Sequence, residues 1–122
     1  MMAKPADYEE KNIVKRTFRF ALLTIKIVGQ LPKDSIGQVL SRQLMRSGTS
    51  VGANVRESQR TSTRKAFIHK LNIALNEAEE TEYWLELIRQ SHLLSEAVIS
   101  NILEECREIC KILTIIIKNL KK

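Results

Sequence analysis

Phe67, Leu71, Ala74, Ala78, Thr81, Leu85 and Ile88 follow one another at alternating spacings of four and three, without interruption. Only an α-helix buried along a single stripe uses such a repeat, because 3.6 residues per turn return positions i, i+3, i+4 and i+7 to the same face. The pattern predicts a helix over about 63–91, with "TST" at 61–63 supplying a cap hydroxyl. A second seam, Ile99, Ile102, Cys106, Ile109, Leu113, Ile116 and Leu120, predicts another over 95–120, with Ser95 as its cap.

The first half repeats the theme. Pro32 and the polar "PKDS" stretch separate a helix expected over 8–29 from one over 36–60, capped by Asp34 or Ser35. In the latter, Ile36, Leu40, Leu44, Ser47, Val51, Val55 and Ser58 share a face. In the former, Val14, Phe18, Ala21, Ile25 and Val28 keep the seam spacing, while Phe20, Leu23, Ile27 and Leu31 fall on nearly the opposite side. Four helices of similar length and short connections predict an all-α, antiparallel up-down-up-down bundle occupying 8–122, preceded by a short tail over 1–7. With 122 residues and only four Gly and two Pro, one domain is expected.

Surplus apolar surface predicts self-association. The first helix is apolar on two faces, and "ICKILTIII" is apolar almost all round, so Phe20, Leu23, Ile27, Ile112 and Ile115 are assigned to an interface between copies of a homo-oligomer. "RSGTSVGANVRES" continues the second helix rather than forming a phosphate cradle, since no strand precedes it. Ser41, Gly48 and Gly52 then form a row of small residues along which another helix can approach closely.

Gln43, Arg46, Ser50, Asn54 and Glu57, with Glu77 and Glu80, are read as a polar network fixing the bundle, Arg46 being the candidate partner for Glu77 or Glu80. Residues 1–62 carry the whole net surplus of +6, and 63–122 balance. Lys15, Arg16, Arg19, Lys26, Arg42, Arg56, Arg60, Arg64 and Lys65 are the candidate phosphate contacts, and the scarcity of exposed aromatics points to backbone binding with little sequence preference. The stripe Glu79, Glu82 and Glu86 offers a surface for a basic partner, the alternative reading being a protein adaptor.

No enzyme is expected. Glu77 and Glu80 lack the Glu-x-x-His pattern of di-iron bundles, since Tyr83 follows Glu80 by three. His69, His92, Cys106 and Cys110 match no zinc spacing, so no metal or other cofactor is called for. Cys106 and Cys110, one turn apart, are expected as reduced thiols. With neither a signal peptide nor an apolar run of membrane-spanning length, the expected location is the cytoplasm, away from membranes.

"QLMRSGTSVGANVRES" followed by "AFIHKLNIALNEAEETEYWLEL" resembles the bacterial four-helix-bundle family encoded within intervening sequences of large-subunit ribosomal RNA genes, to which the accessory variability determinant of diversity-generating retroelements is similar. The likeness covers roughly 10–120. Gln43, Leu44, Arg46, Ser50, Asn54 and Glu57 match one family block, and Phe67, Ile73, Ala74, Glu77, Glu80 and Trp84 the other; Ser58 and Ala66 depart from it. The resemblance implies a homopentameric, non-catalytic barrel. Nucleic acid, RNA in the first place, and a reverse transcriptase are the partners it suggests.

Overall fold

The computed structural model describes residues 5–122, with side chains described from Asn12 onward. Four helices fill the described chain: α1 (Pro5–Val28), α2 (Ser35–Ser58), α3 (Arg64–Gln90) and α4 (Glu96–Leu120). Each packs on its two neighbours in the cyclic order α1, α2, α3, α4, and among the described residues the diagonal pairs bring no Cα atoms within 8 Å of each other. Of the tail expected over 1–7, residues 5–7 are already helical and 1–4 lie outside the described residues.

Side-chain acceptors cap the helices at the expected places. Asp34 accepts from the Gly37 amide at 2.8 Å, Thr63 from Ala66 at 3.0 Å and Ser95 from Val98 at 3.4 Å, so each helix start after the first has one orphan N–H satisfied. The α3–α4 turn closes differently. His92 adopts φ 57°, and the following Leu93 amide bonds the Ile88 carbonyl at 3.3 Å, the arrangement in which glycine is the usual residue. His92→Gly is expected to raise stability by about 0.5–1 kcal/mol by relieving the Cβ penalty of the left-handed conformation, measurable as a higher urea midpoint.

The seams of α3 and α4 are buried as expected, from Leu71 through Ile88 and from Ile99 through Leu120, with Phe67 partly covered at the edge. In α2 the seam is buried from Leu44 to Ser58, but Ile36 is 63% exposed, standing in an open groove beside Leu87 and Ser91.

In α1 the structure reverses the expectation. Ile13, Thr17, Phe20, Thr24, Ile27 and Leu31 form the core face, and Phe18, Leu22 and Ile25 are about half exposed, at 49%, 53% and 48%. Phe20 and Ile27 are therefore core residues, not interface residues, and Leu23 packs partly against the core. Thr17 and Thr24 supply the physical reason. Their hydroxyls donate to the carbonyls of Ile13 (2.7 Å) and Phe20 (2.9 Å), which lets a small polar residue occupy a core position without an unmade hydrogen bond.

Those threonines face the glycines of α2. A Cβ built on Gly48 would lie 2.7 Å from both Thr24 Oγ1 and Cγ2, and one on Gly52 would lie 3.0 Å from the Thr17 carbonyl oxygen. "RSGTSVGANVRES" is thus unbroken helix, thinned where α1 crosses it. Ser41, the third member of the row, lies partly exposed beside Val28 and Met45, in the groove outside the close approach.

Candidate nucleic-acid interface

The nine cations read as phosphate contacts do not form one set. Arg16 reaches across from α1 to α4 and grips both carboxylate oxygens of Glu105, at 2.8 and 2.9 Å. The hydrogen bond to Glu105 raises the Arg16 pKa further above its already high value, so this guanidinium is committed to holding two helices together. Arg64, at the start of α3, donates to the Leu120 carbonyl at the end of α4, where unpaired carbonyls favour a cation. Both leave the proposed phosphate set on these grounds.

Seven remain exposed and make no ion pair among the described residues. Lys15, Arg19 and Lys26 form a ridge along the outside of α1, and Arg42, Arg56 and Arg60 run along α2 and its exit. Lys65 stands apart at the α3 start. Between the two ridges lies the apolar groove lined by Val14, Phe18, Ala21, Gly52 and Ala53, about 400 Å³ in volume. The Arg56 guanidinium sits 5.2 Å from the centre of the Phe18 ring, which positions it over the groove.

Sequence reasoning misses one basic feature. Lys118, Lys121 and Lys122 are exposed at the end of α4, and the antiparallel order brings that end beside Arg64 and Lys65. The signal is the terminal "KNLKK", which the glutamates earlier in α4 mask when charge is summed over the last quarter of the chain.

The polar network also divides. Arg46 bonds Glu77 at 3.1 Å, pairs with Glu80 and contacts Gln43 at 3.4 Å, while Trp84 Nε1 donates to Glu80 at 3.0 Å. Glu57 makes a separate bridge to Lys70, at 2.8 Å. Ser50 and Asn54 do not cross between helices; they donate to the Arg46 and Ser50 carbonyls of their own helix, because each points along α2 rather than toward α3. The buried polar link between α2 and α3 is instead Thr81 to Ser47, at 2.8 Å.

Among the described residues no group of three or more His, Cys, Asp or Glu side chains is placed to hold a metal ion. Cys106 and Cys110 are free thiols, and Cys106 Sγ lies 3.3 Å from the Ala78 carbonyl oxygen of α3. A hydrogen bond with Cys110, together with burial, holds the Cys106 thiol far above the usual range, and the same bond pulls Cys110 below it. Iodoacetamide is accordingly expected to label Cys110 in the folded protein and Cys106 only after unfolding, as read by peptide mass spectrometry.

Against this geometry, a model of the 23S rRNA-intervening sequence protein family matches residues 9–115. The chain belongs to that family. The crystal structure of a protein of unknown function from the S23 ribosomal protein family of Bacteroides thetaiotaomicron, at 1.70 Å, is similar: 39% identical, with a TM-score of 0.84, covering 90% of this chain and 98% of that one. No curated protein matches. The matched range includes residues of all four helices. No helix of the described residues is long and apolar enough to cross a membrane.

Proposed function

We propose that this chain is a non-enzymatic, homo-oligomeric bundle, pentameric in its working form, that binds nucleic acid through the cations of α1 and α2 with little sequence specificity. The observation that supports this reading is the segregation of charge. Lys15, Arg19, Lys26, Arg42, Arg56 and Arg60 stand on two parallel ridges with no carboxylate paired to them among the described residues, whereas Glu77, Glu80, Glu82, Glu86 and Glu105 are all engaged by arginines within the bundle. Cations left unneutralised on a folded surface are what phosphates recruit, since binding releases the counterions condensed on the nucleic acid. The family's description in terms of 23S rRNA intervening sequences makes RNA the first candidate. Repetition around an oligomer multiplies a modest patch into a continuous basic surface.

Fluorescence anisotropy with single-stranded RNA and DNA at several salt concentrations tests the reading. Affinity is expected to fall steeply with salt. Replacing Arg42, Arg56 and Arg60 together by alanine is expected to flatten the log–log slope by about 2, at roughly 0.7 for each phosphate no longer neutralised. Absence of binding at low salt would reject it.

A further inference from the structure

Ridges of unpaired cations attract any polyanion, and charge alone does not choose between a paired and an unpaired strand. The groove between the ridges does choose. It is floored by Ala21, Gly52 and Ala53, whose small side chains keep it deep, and Phe18 stands at its wall, 49% exposed. Hydrophobic spacing puts Phe18 in a core seam, where it has no ring to offer a ligand; the structure turns that ring outward.

A solitary exposed ring needs no explanation of its own. What sets Phe18 apart is its surroundings. The Arg56 guanidinium lies 5.2 Å from the ring centre, and from Asn12 to Val28 α1 carries four cations and no acid. Glu57, the carboxylate among the residues lining the groove, is bonded to Lys70 at 2.8 Å. Tyr83, also exposed, has no such setting: from Leu71 to Ile88 its helix carries five glutamates and neither Lys nor Arg.

A cationic track beside an aromatic platform is how proteins hold single strands: the phosphates follow the charges, and bases of any identity stack on the ring. A duplex keeps its bases stacked on one another and has none to give. We propose that the α1–α2 groove selects single-stranded nucleic acid over duplex by stacking one unpaired base on Phe18, with Arg56 passing from that ring to a phosphate of the same strand. The inference rests on the nucleic-acid reading above and adds to it the strand selectivity and the residue that carries it. The exchange at Arg56 is favourable, because a cation–π contact at an exposed site is weaker than base–aromatic stacking and the guanidinium gains an anion. The groove has the volume for a base, about 400 Å³, within the range of small-molecule sites. Arg42 and Arg56 stand about 21 Å apart along α2 at 1.5 Å per residue, so the strand continues along the cations for several nucleotides. Stacking is indifferent to base identity, in keeping with little sequence specificity.

Fluorescence anisotropy at low salt, with a labelled oligouridylate alone and then annealed to oligoadenylate, tests the inference. The wild type is expected to prefer the single strand. Phe18→Ala and Phe18→Leu are expected to lose about 5- to 100-fold in affinity for the single strand and nothing for the duplex, and Phe18→Tyr to bind as the wild type does. The salt slope is expected to stay at its wild-type value in all of them, since no phosphate contact is removed, unlike the flattening expected when Arg42, Arg56 and Arg60 are replaced. Phe18→Leu binding like the wild type, or Phe18→Ala leaving single-strand affinity unchanged, overturns the stacking and leaves the cationic surface standing. A loss in Phe18→Ala that is equal on single strand and duplex and comes with a lower mass in sedimentation equilibrium puts the ring between copies, and the inference is wrong. Absence of binding to either form overturns the nucleic-acid reading and the inference with it.

Discussion

Phe20→Ala is expected to destabilise the folded chain by about 3–5 kcal/mol, while Phe18→Ala, two residues earlier on the same helix, is expected to cost less than about 1 kcal/mol when measured on dispersed protein. Phe20 is fully buried and is among the largest side chains of the core, so its removal leaves a cavity that the surrounding helices cannot collapse to fill. Phe18 is half in solvent, and inside one chain its main polar contact is the Arg56 guanidinium. Urea unfolding of both variants, followed by far-ultraviolet circular dichroism, gives the comparison. A stability of about 5–15 kcal/mol is typical of a domain, so the first loss would move the midpoint by a large fraction of its value. Near-equal losses would mean that the core face of α1 is the Val14–Val28 row after all.

Two rows of α1 keep the alternation of four and three: Val14, Phe18, Ala21, Ile25, Val28, and Ile13, Thr17, Phe20, Thr24, Ile27, Leu31. The first is wholly apolar, and the second is interrupted by two hydroxyls, so hydrophobicity alone favours the wrong one. What decides is the partner. The row of Gly48 and Gly52 on α2 admits a helix whose contact residues are small, and threonine with its hydroxyl bonded one turn back meets that condition where phenylalanine does not. The α3 seam also contains a threonine, Thr81, which is buried there and bonded to Ser47. In α3 and α4 the row read from the sequence is the one the structure buries, Thr81 included.

The basic surface is legible by type but not by commitment. Spacing along one helix says on which side Arg16 lies, yet whether it is free depends on Glu105, 89 positions away on a helix brought alongside only by the topology. Arg64 is likewise removed from solution by a carbonyl at the far end of the chain. By contrast, Arg46 and its glutamate partners can be matched from sequence, because both lie on edges flanking the seams of consecutive antiparallel helices.

The glycines of α2 offer the sharpest test of how the bundle is closed. Glycine inside a helix is less stable than alanine by roughly 0.5–1 kcal/mol, so on propensity alone Gly48→Ala should stabilise. The opposite sign is expected, a loss of about 1–3 kcal/mol. The new methyl would lie 2.7 Å from two atoms of Thr24, well inside the roughly 3.5–4.0 Å of an ordinary contact, and Thr24 is fully buried, stiff at χ1 and bonded to the Phe20 carbonyl. Relief therefore requires α1 to move away from α2, loosening the packing along both. Thr24→Ala removes the two offending atoms without leaving a buried acceptor unpaired, because the Phe20 carbonyl keeps its helical partner. In the double variant Gly48→Ala/Thr24→Ala the new methyl enters the space vacated by the threonine hydroxyl and methyl, and the propensity gain is recovered. A double-mutant cycle from urea midpoints is expected to show a favourable coupling of about 1–3 kcal/mol between the two positions. Additive losses would mean that the helices do not approach most closely here, and that the two glycines are tolerated for some reason other than packing.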